Sequence, residues 1–228
     1  MTTSNSPVLT LDNVSKDFRQ GDEIIHALRP TDLDIYAGEF VGILGPSGSG
    51  KSTMLTIMGG LRSPGNGRVF INGEKFSELK EKQRAEIRHR KIGFVLQAAG
   101  LVPFLQINDQ FSLYDRVAGT KPNFDRRDDL MKSLDISKYG KSYPGDLSGG
   151  ERQRAAIAVA LYHDPALILA DEPTAALDTQ RAMTVAKILA DQTHERDKAT
   201  VMVTHDERLL DVCDRVLQMK DGELTTIR

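Results

Sequence analysis

GPSGSGKST, residues 45–53, follows the apolar run EFVGILG (39–45) and precedes the helical pattern MLTIMGGL (54–61). A strand, a glycine loop and a helix in that order form a cradle for phosphate. Gly45, Gly48 and Gly50, set among Pro46, Ser47 and Ser49, let the backbone curl until successive N–H groups point inward at phosphate oxygens. The helix that follows adds its positive N-terminal end. Lys51 brings a mobile positive charge to the terminal phosphates, and Ser52, next to Thr53, places a hydroxyl on Mg²⁺. A ligand-free glycine turn is the alternative, and the full pattern in its proper context argues against it.

Working outward, short β-branched and aliphatic runs recur at VLTLDNV (8–14), KIGFVLQ (91–97), ALILADE (166–172), ATVMVTH (199–205) and RVLQMKDG (215–222), several leading into helical patterns. That order predicts an α/β fold with a parallel core sheet. The first part, with a second strand near LRPTDLDIYAG (28–38) and the turn GNGRVFING (65–73), reads as an antiparallel β subdomain beside that core, which is therefore mixed at one edge. Between Gln97 and about Asp164 the pattern changes to amphipathic helices at INDQFSLYDRVAG and DRRDDLMKSLDI, broken by Gly and Pro at GTKPNF and YPGD. Residues 98–164 are thus expected as an inserted helical subdomain, with 1–97 and 165–228 as the core of one domain. The mixed-sign run EKFSELKEKQRAEIRHRK (74–91) reads as a solvated helix face.

Other chemistry gathers at strand ends. ALILADE closes on Asp171 and Glu172, adjacent carboxylates that cost desolvation unless a cation or water uses them. Asp171 suits Mg²⁺, and Glu172 suits a general base that polarises water. ATVMVTH ends at His205. A lone histidine is most simply structural, but the C-terminal edge of a parallel sheet is where ligands gather, and from there it reaches a γ-phosphate. Gln97, also ending a strand, is either a surface glutamine or an amide oxygen for Mg²⁺ or water. LSGGERQR (147–154) is a second glycine-rich anion motif; SGGE is also a fair capping box for an ordinary helix.

Composition narrows the classes. With 228 residues, 27% charged, 39% hydrophobic and a net charge of -2, the chain has the makings of a soluble globular protein and no overall electrostatic reason to bind nucleic acid. The single cysteine, Cys213, has no intrachain partner, and the N-terminal MTTSNSPVLTLD lacks the basic and long apolar parts of a secretory signal, so a cytoplasmic setting is expected. No apolar run approaches the roughly 20 residues of a spanning helix, so work at a membrane requires another chain as anchor.

Together these stretches resemble the nucleotide-binding subunit of an ATP-binding-cassette transporter, and the likeness covers nearly the whole chain. GPSGSGKST matches the Walker A loop of these P-loop NTPases, Gln97 the Q-loop and LSGGE the family signature. LILADE matches Walker B, AALD the D-loop, and His205 the switch histidine. The resemblance puts Phe18, otherwise most simply core packing, on adenine, and adds Asp178 of the D-loop to the nucleotide residues. It implies an ATPase using ATP and Mg²⁺, with Ser52, Gln97 and Asp171 at the metal and Lys51, Gln97, Glu172 and His205 at the chemistry. It also answers why one chain carries two anion motifs: two copies meet head to tail, and Ser148, Gly149, Gly150 and Glu151 of each close over the ATP of the other. Ala176 stands where serine is frequent in the D-loop, and Glu151 where glutamine is common in the signature; neither removes a group that hydrolysis needs.

SGSGKSTMLTIMGGL, IGFVLQAAGLVPFLQINDQ and the early ending resemble the branch with the lipoprotein-releasing, macrolide-export and cell-division ATPases, and LVPFLQINDQF (101–111) is similar to the haem-exporter ATPases of Gram-positive bacteria. The resemblance implies a homodimer on the cytoplasmic face of the plasma membrane, held peripherally by an integral permease and touching neither lipid core nor cargo. The expected role is export of haem or another hydrophobic or amphipathic compound. The alternatives are a cell-division-type regulatory complex and export of macrolide, peptide or lipoprotein. A DNA-repair ATPase, which shares the ATP chemistry, would usually carry a coiled-coil or zinc-bearing insertion between Walker A and signature, and the interval here has neither.

Overall fold

The computed structural model describes residues 6–21 and 23–228; residues 1–5 of the stretch searched for a secretory signal lie outside them. In chain order the described residues form β1 (Leu9–Gln20), β2 (Glu23–Ile35), β3 (Phe40–Leu44), α1 (Lys51–Met58), β4 (Asn66–Ile71), β5 (Glu74–Lys75), α2 (Glu81–Lys91) and β6 (Ile92–Val95). Then come α3 (Ile107–Ala118), α4 (Phe124–Ser133), α5 (Gly149–Tyr162), β7 (Leu167–Asp171), α6 (Thr179–Glu195), β8 (Ala199–Thr204), β9 (Arg215–Lys220) and β10 (Glu223–Thr226).

Two sheets result. The larger has the order β10-β9-β3-β8-β7-β6, and every neighbour pair from β9 to β6 is parallel. Only β10 runs antiparallel, so the mixed edge of the core lies at the C-terminal hairpin. The N-terminal strands form a separate antiparallel sheet, β2-β1-β4-β5. Its second strand starts at Glu23, earlier than LRPTDLDIYAG suggests, because the exposed residues 23–26 pair with β1 through backbone bonds and offer no apolar pattern to read.

The central parallel strands β3, β7 and β8 are buried on both faces, and their side chains alternate between two cores as the two-residue period of a strand requires. On β7, Leu167 and Leu169 face one core, while Ile168 and Ala170 face the other. The first core takes Met54, Leu55 and Met58 of α1 with Leu9, Leu11, Val69 and Ile71 of the antiparallel sheet. The second takes Ile107 and Phe111 of α3, Leu130 and Met131 of α4, Ile157 and Leu161 of α5, and Leu189 of α6. α2 buries no residue, as its mixed-sign sequence leads one to expect, but it takes only 81–91 of the run 74–91: Glu74–Lys75 pair with β4, and Phe76 is fully buried in the first core. None of the helices among the described residues is long and apolar enough to cross a membrane.

This arrangement positions the site. β3, β6, β7 and β8 are mutually parallel, so the loops that leave their C-terminal ends emerge on one edge of the sheet. These loops carry residues 45–50, Gln97, Glu172 and His205.

Candidate functional site

The loop between β3 and α1 is tightly enclosed. A Cβ on Gly45 would lie 2.2 Å from the Met219 carbonyl oxygen, and one on Gly50, at φ 106°, would lie 2.0 Å from that of Ala27. Only glycine serves at either place. Lys51 Nζ, buried at the first turn of α1, donates to the carbonyl oxygens of Gly45 (2.7 Å) and Pro46 (2.8 Å), so the ammonium is held over the loop that it closes. Ser49 Oγ is buried without a hydrogen-bond partner among the described residues. Ser47, Gly48, Gly50, Lys51, Ser52 and Thr53 line a cleft of about 390 Å³ together with Phe18, Ala27, Gln97, Asp171, Glu172 and His205. That volume lies in the usual small-molecule range of roughly 300–1,000 Å³.

Ser52 Oγ donates to Asp171 Oδ1 at 3.1 Å, joining the start of α1 to the end of β7. Burial, more than the neighbouring Glu172 charge, raises the Asp171 pKa, and the Ser52 hydrogen bond only partly offsets this. A hydroxyl beside a costly buried carboxylate is a donor set for a hard cation, and Mg²⁺ takes one or two carboxylates with phosphate oxygens and water. The residues fit the ion.

Glu172 sits at φ 47°, the left-handed region that a non-glycine residue seldom adopts. Its N–H donates to the Val203 carbonyl at 2.9 Å, which holds this backbone against β8. The conformation turns the carboxylate to His205, whose Nδ1–H donates to Glu172 Oε2 at 2.9 Å. The Glu172 side chain is 14% exposed and that of His205 71%, so the carboxylate is sheltered and the imidazole reaches outward. Such strain gathers at functional sites, where the surrounding structure over-determines it.

Gln97 lies two residues beyond β6, exposed at the cleft wall. Phe18 opposes Ile25 across the β1–β2 pair and is half-buried, not enclosed in the core. Arg62 stands 4.9 Å and Lys16 5.8 Å from its ring centroid, cation–π contacts that flank the aromatic.

Ser148, Gly149, Gly150, Glu151 and Asp178 line no part of this cleft. Ser148 caps α5, and its N–H and Oγ both donate to Glu151 Oε2, at 2.8 and 2.7 Å. The capping box that the sequence allowed is therefore present. Tyr139 OH donates to the other carboxylate oxygen, and this bond, with those from Ser148, holds the Glu151 pKa down at about 2. A Cβ on Gly149 would meet only Ala176 Cβ, at 3.8 Å, whereas one on Gly150 would crowd Leu177 Cδ2 at 3.0 Å. The signature thus packs against the D-loop of its own chain. Asp178 caps α6 and pairs with Arg181.

Sequence reading missed three contributors. Ala27 lines the cleft from an exposed strand without a motif. Tyr139 holds Glu151 from outside any motif. Gln153, inside LSGGERQR, reaches the Leu96 carbonyl, a contact across 57 residues that no local signal reveals.

Phosphate donors, a hydroxyl–carboxylate pair suited to a cation and a carboxylate–imidazole pair in one cleft suit binding of a nucleoside triphosphate and attack by water on its terminal phosphate. Comparison with known proteins agrees. The family described as ABC transporter matches residues 28–175, more than half of the chain. The chain is 40% identical over 223 residues to the uncharacterized ABC transporter ATP-binding protein MJ0796 of Methanocaldococcus jannaschii, covering 95% of each. It is 38% identical over 218 residues to the putative hemin import ATP-binding protein HrtA of Staphylococcus haemolyticus, covering 95% of this chain and 98% of that one. A solved dimeric structure of a post-hydrolysis state of the ATP-binding cassette MJ0796 bound to ADP and Pi superposes with a TM-score of 0.90 at 38% identity, over 96% of this chain and 99% of that one. The name of the staphylococcal relative says import, against the export that the sequence suggested.

Proposed function

The chain belongs to the ABC transporter family and is an ATP-hydrolysing cassette of it; from that premise we propose that two copies bind two ATP with Mg²⁺, close head to tail, and drive a membrane permease. The observation that carries this is the separation of the two anion motifs. The Walker A loop, Asp171, Glu172 and His205 share one cleft, while Ser148–Glu151 lie outside it and still present a capped helix N-terminus. A second copy gives that N-terminus a ligand, and the dimeric relative supports the arrangement.

Within the cleft, the backbone of residues 45–50 cradles the phosphates and Lys51 moves from its carbonyl partners to their terminal oxygens. Phe18 stacks on the base, with Arg62 and Lys16 supporting its ring. Ser52 and Asp171 would hold Mg²⁺ with the amide oxygen of Gln97, and the bound ion would supply positive charge against the phosphates. Glu172 takes the proton of the attacking water, and His205, bonded to Glu172 before ATP enters, swings to a γ-phosphate oxygen and frees the carboxylate for the water. Asp178 and its D-loop meet the opposite copy beside the signature.

We assign residues 98–164 to a helical subdomain that moves against the rest, and its apolar exposed side chains to the permease contact. Phe104 is 76% exposed and Val117 67%. The permease holds the chain peripherally at the cytoplasmic face of the plasma membrane. The cargo is haem or another amphipathic compound, moved outward. Haem agrees with the substrate in the names of the HrtA relatives; the outward direction rests on resemblance to the exporter branch alone. Co-purification of the permease, reconstitution into vesicles, and measurement of hemin-stimulated ATPase and of hemin movement test this. Stimulation with movement away from the ATPase side is expected, movement toward it reverses the direction, and no stimulation removes haem as cargo.

A further inference from the structure

Gln153 lies on α5, five residues after the Ser148 cap, and is 3% exposed. Its Nε2–H donates to the carbonyl oxygen of Leu96 at 3.1 Å. That oxygen belongs to the peptide linking Leu96 to Gln97. A peptide unit is planar, so a hydrogen bond on its oxygen fixes the ψ of Leu96 and the φ of Gln97 together, and with them the direction in which the Gln97 side chain leaves the backbone. The segment needs such a tie: β6 ends at Val95, and Leu96 and Gln97 lie beyond its ladder, both exposed.

The other end of the lever is the signature. Five residues of α-helix span about 7 Å, and a helix transmits displacement along its axis as a rigid body. The near end of α5 is itself held, by the Ser148–Glu151 box and by Arg152, whose NH1 donates to the Leu147 carbonyl at 3.0 Å.

We propose that Gln153 is a positioning residue that couples the two halves of the ATPase: movement of α5 when Ser148 and Gly149 engage the partner's ATP reaches the Leu96–Gln97 peptide through this part-buried bond and sets Gln97 at the chain's own nucleotide. The proposal rests on the roles given above to Ser148 and Gln97. It adds a route by which each cleft senses whether the opposite one is filled.

The test uses the full chain with three variants, Gln153→Met, Gln97→Ala and the double, each checked for parent-like ATP binding by the monomer. Met keeps the shape of Gln and removes the donor. Gln153→Met is expected to lower kcat about fivefold or more, leave KM for ATP within about twofold, and raise the Mg²⁺ concentration for half-maximal rate in the direction that Gln97→Ala does. The double variant is expected within about twofold of Gln97→Ala alone, because the tie has nothing left to position. Losses that multiply in the double variant, or Gln153→Met at the parent rate, overturn the tie while leaving Gln97 in place. A Gln97→Ala variant at the parent rate overturns the role of Gln97, and the proposal with it.

Discussion

His205 Nδ1–H donates to Glu172 Oε2 at 2.9 Å, joining the ends of β8 and β7 across 33 residues of sequence. The contact exists because Glu172 takes a left-handed φ of 47°, which turns its carboxylate to the neighbouring strand end. With Glu172 as base, Glu172→Gln is expected to lower single-turnover hydrolysis by about 10²–10⁴-fold and to retain ATP. The amide oxygen still accepts from His205, so the site keeps its shape. His205→Ala, which leaves the base intact but removes the proposed contact with the γ-phosphate, is expected to lose less, about 10–100-fold in kcat, with KM for ATP little changed. Equal losses in the two variants would contradict their separate roles.

Asp171 is an acid whose pKa burial raises above its ordinary 3.8. A group that binds its proton more tightly when folded penalises the folded state as pH rises above the ordinary value, and fully so above the raised one. Asp171→Asn keeps an acceptor for Ser52 and removes the charge. Without nucleotide, the variant is expected to melt about 1–4 °C above the parent at pH 7, the gap narrowing as pH falls toward the ordinary Asp value. The same variant should lose Mg²⁺-supported hydrolysis. Scanning calorimetry across pH checks the first part; a variant that melts below the parent at pH 7 counts against the stated cost.

Glu151 is the opposite case. The Tyr139 hydroxyl first, then the Ser148 hydroxyl and N–H, hold it down from 4.5 to about 2. Its contribution to folding is therefore present above 4.5 and lost as pH falls from there through about 2. Tyr139→Phe, which removes the largest cause, should move the Glu151 titration upward toward its ordinary value in carbon-detected NMR. An unmoved titration would contradict the assignment.

The features legible in the sequence were those set by local chemistry. The run of residues 45–53 fixes strand, loop and helix because glycine, lysine and serine each have one task there, and the short, mainly apolar β-branched and aliphatic runs of β7 and β8 read as buried strands. The less legible features are long-range. β2 begins in exposed residues whose only reason to be a strand is the backbone of β1, and β1 itself carries register shifts between Leu11 and Val14 and between Lys16 and Asp17 that no alternation predicts. Within the site, the residue types at Asp171, Glu172 and His205 were readable, but the positive φ of Glu172 was not, since nothing in ADEP marks a left-handed turn. Gln153 and Tyr139 show the same limit: each acts through a partner placed by tertiary folding.

The central claim is that the site is completed by a second copy, and Gly149 gives the cleanest access to it. A side chain there meets only Ala176 at ordinary contact distance within its own chain, so Gly149→Leu leaves the monomer and its Walker A loop intact while blocking the face that closes on the partner's ATP. The decisive measurement is the mass in solution of the 25.2 kDa chain in the Glu172→Gln background with Mg²⁺ and ATP, with and without Gly149→Leu, alongside ATP binding by each. The account predicts a species of roughly twice the monomer mass for Glu172→Gln and a monomer that still binds ATP once Gly149→Leu is added. A Glu172→Gln chain that binds ATP and stays monomeric, or a Gly149→Leu chain that dimerises as readily, would contradict it.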